Sequence, residues 1–280
     1  MAAISQCLRE ADSLRPVSDS ARLDVEVLLC HVLEKDRSYL FTWPEKELDS
    51  EQQRQFDTLL ARRQAGEPVA YLTGTREFWS LDLEVDESTL IPRPDTECLV
   101  ETVLALLPEK KQRLADLGTG TGAIALALAY ERPAWSLLAV DFNPKAVALA
   151  EKNCRALSLS NVEVRESNWF AAVPEHDFDA ILSNPPYIDE TDPHLQEGDV
   201  RFEPASALVA AEAGLADIRH IANTAREKLR CGGYLVVEHG YRQAEAVQAV
   251  FAECHYKAIK TYPDLAGQPR LTVGVYAHNE

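Results

Sequence analysis

Metal-binding and disulfide patterns are missing from this 280-residue chain. It contains six cysteines and seven histidines, yet no two cysteines have CxxC spacing and no two histidines form an HxH or HxxxH pair. Zinc sites and disulfide frameworks are normally marked by such spacing. The sequence therefore predicts reduced thiols, most of them buried, and no metal site.

Long apolar runs are missing as well. The run "AIALALAY", one of the longest, is far shorter than the roughly 20 residues that span a bilayer. The N-terminus also lacks the basic and then apolar layout of a secretory signal peptide. We therefore expect a cytoplasmic protein that has no membrane partner.

Positive charge is scarce. The chain has 28 Lys and Arg residues against 45 Asp and Glu residues, which gives a formal net charge of −17. Cationic side chains supply most of the non-specific affinity of proteins for nucleic acids. This balance argues against a bare DNA or RNA partner, although a local basic patch would not show in the total.

The features that are present begin with apolar residues at helical spacing. Residues 1–75 predict a small helical bundle, in which Ser50 and Gln53 have the spacing of a capping box at the start of a helix. Residues 76–90 alternate between apolar and polar side chains, as in "REFWSLDLEVD", and predict a hairpin linker. The sequence thus separates an N-terminal domain from the segment that follows.

Residues 91–280 alternate strand and helix signals, such as "RLADLG", "AIALALAYE" and "SLLAVD". Such alternation predicts an α/β domain whose mostly parallel sheet is covered by helices on both faces. The last two strand segments, "YKAIKTY" and "LTVGVYA", are joined by a short loop that contains proline and glycine. We expect these two strands to pair antiparallel, because the loop is too short for a helical crossover.

A glycine-rich turn follows the first strand of this domain, in "LADLGTGTGAIALALA". It comprises Gly118, Thr119, Gly120, Thr121 and Gly122. Glycine permits a close approach of the backbone, and the start of the next helix presents unpaired N–H groups. This predicts a nucleotide-like ligand at the carboxyl end of the strand. The spacing also fits G-x-G-x-x-A, so a nicotinamide dehydrogenase stays an alternative.

Polar and aromatic side chains follow the next two strands. Asp141 ends "SLLAVD", about 20 residues after the glycines, where a carboxylate can accept hydrogen bonds from both ribose hydroxyls. Helix capping is the alternative for Asp141, but Asn143 is better placed for that role. In "SNWF", Asn168 and Trp169 follow the third strand, where they could lie beside an adenine ring. The alternative for Trp169 is a place in the core.

The stretch "SNPPYID" follows a predicted buried strand. A residue before proline is held in extended backbone geometry, so Asn184 and Pro185 are both constrained. The Asn184 side-chain oxygen and the Pro185 carbonyl can accept the two hydrogens of a planar NH2 group, with the ring of Tyr187 against its flat face. The alternative is an ordinary loop, but Asn-Pro-Pro-Tyr at a strand end is a specific signal.

Five stretches together carry a family resemblance: "GEPVAYLTGTREFW", "LIPRPDTE", "DLGTGTGAIALALA", "SNPPYI" and "RFEPASALVAAEAGL". They resemble the peptide chain release factor glutamine N5-methyltransferases, the HemK/PrmC family. The resemblance implies the class I S-adenosylmethionine-dependent methyltransferase fold: α/β, with a mostly parallel seven-stranded sheet whose last strand is antiparallel, a small N-terminal helical bundle and a hairpin linker. It makes residues 1–75 a substrate-recognition domain and residues 91–280 the methyltransferase domain.

The resemblance also implies an activity, which is methylation of the side-chain amide nitrogen (N5) of the glutamine in the Gly-Gly-Gln motif of class 1 peptide chain release factors. The implied cofactor, S-adenosyl-L-methionine, lies against the glycine turn, Asp141, Trp169 and Asn184. The residues that hold the glutamine are then Asn184, Pro185, Pro186 and Tyr187, with catalysis assigned to Asn184, Pro185 and Tyr187. The implied partner is a release factor and not DNA.

Other functions compete with this interpretation. The substrate of an adenine-N6 methyltransferase acting on DNA or RNA carries the same planar NH2 group. Base flipping, however, usually needs a basic surface on the enzyme that holds the strand. A dehydrogenase, or a cofactor-binding module without catalysis, would leave "NPPY" without a role. We interpret His239 in "EHG" as a polar strand end and not as a catalytic base, because a methylated amide nitrogen sheds its proton easily.

Overall fold

A computed structural model of the chain describes residues 1–277. It contains two compact units. The first consists of Met1–Thr75 together with Pro193–Phe202, and the second of Arg76–Asp192 and the residues from Glu203 onwards. Within residues 1–277, every helix is too short or too polar to cross a membrane.

The first unit is helical. Its helices are α1 (Ile4–Cys7), α2 (Ala11–Leu14), α3 (Ala21–Leu33), α4 (Arg37–Thr42), α5 (Ser50–Gln64) and α6 (Val69–Thr73). Helix α3 packs against α2, α4, α5 and α6, and its Leu28 and Leu29 are fully buried in the apolar core of the unit. Burial of such side chains is the main source of stability for short helices, which are marginal alone.

Helix α5 begins with a capping box that lies one residue earlier than the sequence pattern indicated. The Asp49 carboxylate accepts hydrogen bonds from the backbone N–H groups of Glu51 and Gln52, and the Gln52 side chain accepts one from Asp49 N at 3.0 Å. The predicted Ser50–Gln53 box is therefore wrong. Asp49 is extended and carries a negative charge, which the positive end of the helix favours over the neutral Ser50 hydroxyl.

A hairpin begins at Thr75, where the first unit's N-terminal part ends, and continues into the second unit. Strands β1 (Thr75–Phe78) and β2 (Leu81–Glu84) pair with each other, and the turn between them places Trp79 and Ser80 at φ of 53° and 58°. Positive φ at both central residues is required by the turn type whose twist suits a two-residue hairpin loop. A hydrogen bond from Trp79 N to the Glu97 carboxylate, at 3.0 Å, helps to hold this turn.

The rest of the second unit is a seven-stranded sheet in the order β5-β4-β3-β6-β7-β9-β8. Its strands are β3 (Arg113–Leu117), β4 (Ser136–Asp141), β5 (Val162–Glu166), β6 (Phe178–Ser183), β7 (Leu229–Glu238), β8 (Lys257–Pro263) and β9 (Pro269–Val275). Strand β9 is antiparallel to both β7 and β8, while the pairs from β5 to β7 are parallel. The predicted mostly parallel sheet with an antiparallel last strand is confirmed, and β9 lies inside the sheet because β8 occupies its edge.

Helices cover both faces of this sheet. They are α7 (Glu97–Leu106), α8 (Ala123–Glu131), α9 (Pro144–Ala156), α10 (Ala211–Gly214), α11 (Ala216–Ala225) and α12 (Ala244–Glu253). One apolar core contains α7, α8 and the hairpin, and the other contains α11 and α12. Burial on both faces explains why strands such as β4 and β6 are continuous apolar runs.

The strand order reverses between β3 and β6. From β3 the chain proceeds outward through β4 and β5, and then returns to place β6 and β7 on the other side of β3. In open α/β sheets, ligands bind in the crevice outside the carboxyl ends of the strands at such a switch point. Gly118 follows β3 and Asn184 follows β6, so the glycine turn and "NPPY" meet at this position.

Candidate active site

The glycine turn is held against the end of the neighbouring strand. Gly118 N and Thr119 N both donate to the Val140 carbonyl at 2.9 Å, and the Thr119 hydroxyl donates to the buried Asp116 carboxylate at 2.6 Å. Gly118 has a φ of 71°, which favours glycine because other residues are strained there. A Cβ at Gly118 would lie 3.6 Å from the Trp169 ring, so these two residues border the same space.

Asp141 braces the turn from the end of β4. One oxygen of its carboxylate accepts from Gly120 N at 3.0 Å, and the other accepts from Asn143 N at 2.9 Å. Burial raises the pKa of Asp141, although these backbone donors oppose the shift. Asn143 caps helix α9 by accepting a hydrogen bond from Lys145 N. The helix-capping role considered as an alternative for Asp141 therefore belongs to Asn143.

A cavity of about 320 Å³ opens at the carboxyl ends of these strands. This volume lies within the range of small-molecule sites. Most of the residues selected from the sequence line it: Gly118, Thr119, Gly120, Thr121, Asp141, Trp169, Asn184 and Pro186. The structure thus brings together the ends of four strands, β3, β4, β5 and β6, that are far apart in the sequence.

Three of the selected residues are not in the cavity wall. A Cβ at Gly122 would lie 2.9 Å from the Leu126 side chain, so this glycine permits the first turn of α8 to pack. Pro185 is buried. The Tyr187 ring packs beside the core that contains α11 and α12, and its hydroxyl lies 3.4 Å from the Glu238 carboxylate.

Asn184 reaches the cavity with its amide nitrogen anchored. Its Nδ2 donates to the Thr96 hydroxyl oxygen at 3.2 Å. The neighbouring Ser183 hydroxyl is fully buried and donates to the Leu117 carbonyl at 2.8 Å, which fixes the backbone at the end of β6 against β3. Asn184 is therefore held from both its backbone and its side chain.

Two polar residues of this site, Thr96 and Glu238, were missed by sequence reasoning. Glu238 ends β7, and Ser183 pairs with Val237 in the sheet, so Glu238 lies beside the residue that follows β6. Burial raises the pKa of Glu238 to about 7, while the nearby Thr96 hydroxyl and the positive charge of Arg270 oppose the shift. Thr96 lies in the stretch "LIPRPDTE" and Glu238 in the stretch "EHG". Nothing in either stretch indicates that these two residues, and not their neighbours, belong to the site.

His239, next to Glu238, belongs to the interior of the fold. It is fully buried, with Nδ1 at 3.0 Å from the Gly240 carbonyl and Nε2 at 2.8 Å from the Thr272 hydroxyl. Nδ1–H therefore donates and Nε2 accepts, and burial lowers the pKa of this imidazole. Both ring nitrogens are engaged within the fold, as expected of a structural polar residue.

The loop that carries Thr96 is braced by Glu203. Its carboxylate accepts from Ile91 N at 2.9 Å and from the Arg93 guanidinium at 2.5 Å. The Glu203 side chain is buried and that of Arg93 is partly exposed, and a charge-assisted pair of this kind adds geometric definition to a loop. Through Glu203, the stretch "RFEP" therefore contacts the stretch "LIPRPDTE" beside the cavity.

The charge of the cavity wall is acidic. Asp141 and Asp217 line it, and the positive charge of Arg93, which also lines it, is paired with Glu203. Among residues 1–277, no group of three or more His, Cys, Asp or Glu side chains is arranged to hold a metal ion. A glycine turn, a ribose-type acceptor and an acidic wall fit a nucleoside ligand with positive charge better than one with a pyrophosphate.

Comparison with known proteins gives matches over both units. Residues 1–74 match the family model of the PrmC N-terminal domain, and residues 94–209 match that of the methyltransferase small domain. The release factor glutamine methyltransferase of Escherichia coli (strain K12) is 54% identical over 269 residues, which covers 96% of this chain and 97% of the relative. That of Salmonella typhimurium is 56% identical over 267 residues, with 95% and 96% covered.

A solved structure supports the fold. The crystal structure of a methyltransferase from Pyrococcus furiosus has a TM-score of 0.55 to this chain at 17% identity, covering 82% of this chain and 100% of that one. At this identity the likeness concerns the fold alone.

Proposed function

This chain belongs to the release factor glutamine methyltransferase family, and from that premise we propose that it methylates N5 of the glutamine in the Gly-Gly-Gln motif of class 1 peptide chain release factors. The observation that carries the proposal is an identity of 54% to a relative of that name over 96% of the chain. The cofactor is S-adenosyl-L-methionine. The cytoplasm is where such a substrate is found, and neither DNA nor a membrane is a partner.

The cavity wall supplies the groups that such a cofactor needs. S-adenosyl-L-methionine supplies a methyl group on a positively charged sulfur. Asp141 would accept hydrogen bonds from the ribose hydroxyls with the lone pairs that Gly120 and Asn143 leave unused. Trp169 lines the cavity and would border the adenine, and the turn from Gly118 to Gly122 allows a close approach of the backbone.

Asn184 and Pro185 orient the substrate amide. An amide nitrogen is a poor nucleophile, because its lone pair is delocalised into the carbonyl. The Asn184 Oδ1 and the Pro185 carbonyl accept its two hydrogens, which positions the nitrogen and favours the positive charge that develops on it. Pro186 holds the loop, and we assign the flat face of the amide to the ring of Tyr187, which lies outside the cavity wall with its hydroxyl 3.4 Å from the Glu238 carboxylate. No strong base is needed, since the methylated nitrogen releases its proton readily.

We assign these functions to the three segments that the sequence pattern predicts. Residues 1–75 recognise the release factor, residues 76–90 form a hairpin linker, and residues 91–280 carry methyl transfer. Support for the last part comes from the cavity, whose wall lies within the second unit. The net charge of −17 gives no support to the adenine-N6 alternative.

The proposal is tested with S-adenosyl-L-methionine that carries a labelled methyl group. Purified release factor, the same factor with its Gly-Gly-Gln glutamine replaced, and bulk DNA are each incubated with the enzyme. Label is expected in the intact release factor alone. Label in DNA, or equal label in the glutamine variant, would show that the acceptor is a different group.

A further inference from the structure

The carboxyl-terminal end of "NPPY" is held by Gln243, a side chain that lies outside the cavity wall. Gln243 is the residue that precedes helix α12, and its Nε2 donates to the Tyr187 carbonyl at 2.9 Å. The same nitrogen donates to the Ala213 carbonyl at 3.0 Å, and Oε1 accepts from Gly240 N at 2.8 Å. One side-chain amide thus joins three segments that are separated along the chain.

The orientation of the Gln243 amide is fixed by its partners. Two of them are backbone carbonyls and the third is a backbone N–H group, so none can exchange the role of donor and acceptor. The amide nitrogen has two hydrogens, and both are used. A flipped amide would place its oxygen against the two carbonyls and its NH2 group against Gly240 N–H, and would lose all three hydrogen bonds.

The backbone also packs closely around Tyr187. A Cβ at Gly214 would lie 2.0 Å from the Tyr187 carbonyl oxygen, and a Cβ at Gly240 would lie 3.7 Å from Cδ2 of the Tyr187 ring. The next residue, Ile188, donates from its N to the Leu208 carbonyl at 2.9 Å. The position of Tyr187 is therefore set by segments that follow it in the sequence.

One of these segments is a strained turn. Glu212, Ala213 and Gly214 have successive φ values of 56°, 56° and 82°. Residues other than glycine are strained in this left-handed region, and such strain persists only where surrounding contacts over-determine the backbone. The hydrogen bond from Gln243 to Ala213 and the close approach of Gly214 to Tyr187 are contacts of this kind, so the turn and the end of "NPPY" are held in one arrangement.

We propose that Gln243 is a positioning residue for methyl transfer, because its amide ties the Tyr187 backbone to the 212–214 turn and so holds the Tyr187 ring where we assign the substrate amide. This inference rests on the proposed function, since it concerns the same acceptor pocket. The other end of the motif is held through Asn184, whose Nδ2 donates to the Thr96 hydroxyl oxygen at 3.2 Å. With Gln243, "NPPY" is anchored at both ends by side chains of the second unit.

The test uses Gln243→Glu, which keeps the shape and the acceptor for Gly240 N but turns an oxygen towards the two carbonyls. At saturating cofactor and release factor, this variant should lower kcat by about tenfold, the effect of one hydrogen bond. Its affinity for S-adenosyl-L-methionine, measured by calorimetry, should stay near that of wild type. The matched control is Gln248→Glu on the same helix, where Gln248 Nε2 donates to the Thr261 hydroxyl at 2.8 Å; it should resemble wild type in both measurements.

A double-mutant cycle separates positioning from a general structural role. In a Tyr187→Ala background the ring that Gln243 holds is absent, so Gln243→Glu should lower kcat by about twofold or less. Gln243→Met, which keeps the length and removes the polar contacts, replaces Gln243→Glu if thermal melting shows that the latter does not fold, and should give the same pattern.

Two results would overturn the positioning role. One is a kcat of wild-type size in the Gln243 variants, and the other is the same fold loss with and without the Tyr187 ring. Failure of wild type to methylate release factor would instead overturn the proposed function.

Discussion

Asp141 braces the fold and also faces the cavity. Its two carboxylate oxygens hold Gly120 N and Asn143 N, and the same side chain lines the cavity. A carboxylate has about four lone-pair sites, so these contacts leave capacity for ribose hydroxyls. We propose that Asp141 uses this capacity to bind the ribose, while Asn143 takes the capping role.

Asp141→Ala should weaken the affinity for S-adenosyl-L-methionine by roughly 1 to 3 kcal/mol, the usual cost of unmatched hydrogen-bond partners. Calorimetry measures it, with the exposed Asp82→Ala as the matched control for loss of a carboxylate. The control should bind like wild type. Tight binding of NAD by wild type together with no binding of S-adenosyl-L-methionine would contradict the cofactor assignment.

Tyr187→Phe should reduce kcat less than Tyr187→Ala does. The phenylalanine keeps the ring and its packing, and loses only the hydroxyl contact with Glu238 at 3.4 Å. Steady-state rates at saturating substrates make the comparison. Equal losses in both variants would place the function of Tyr187 in its hydroxyl and not in its ring.

The limits of sequence reasoning are clear at this scale. Asp141, Asn143 and the glycine turn could be found because their roles are local to one strand end. Thr96 and Glu238 could not, because Thr96 meets Asn184 across 88 positions and Glu238 meets Tyr187 across 51. A pattern within one stretch of the sequence cannot indicate a contact with a residue so far away along the chain.

At the scale of elements, hydrophobic periodicity was sufficient for the sheet and its helices. Buried strands such as β4 and β6 are continuous apolar runs because both faces are covered. Details that depend on backbone energy were not predictable. The capping box starts at Asp49 and not at Ser50, and the hairpin turn places Trp79 and Ser80 at positive φ without a glycine, against the usual preference.

The start of helix α8 gives a test at this scale. Gly122→Ala should destabilise the protein by more than the ~1 to 2 kcal/mol of a left-handed alanine, because its φ is 86° and its Cβ would meet Leu126 at 2.9 Å. Gly267→Ala is the control, since its φ is 80° and nothing lies within 4 Å. Denaturant unfolding compares the two. Equal losses would mean that the contact with Leu126 relaxes at no cost.

At the scale of the whole molecule, the two compact units do not follow the order of the chain. Pro193–Phe202 belongs to the first unit, and its Asp199 pairs with Arg63 of α5 at 2.9 Å. Arg63 also pairs with Asp24 at 2.7 Å, and both of those residues are buried. A sequence pattern that assigns consecutive residues to consecutive domains could not detect this membership.

Deletion of residues 1–75 should leave the affinity for S-adenosyl-L-methionine near that of the full chain, because the cavity wall lies in the second unit. The KM for release factor should rise steeply, because we assign recognition to the deleted residues. Calorimetry and steady-state kinetics measure the two effects. If the truncated protein methylates whole release factor as well as the full chain does, recognition lies elsewhere.

The most direct test of the account is turnover by Asn184→Ala at saturating cofactor and release factor. The substitution removes the oxygen that accepts from the glutamine amide, so kcat should fall on the order of a hundredfold or more. Asn184→Asp keeps the shape but changes the charge, and should combine impaired turnover with nearly normal cofactor affinity. Near-normal turnover in Asn184→Ala would contradict the assignment of "NPPY" as the acceptor pocket.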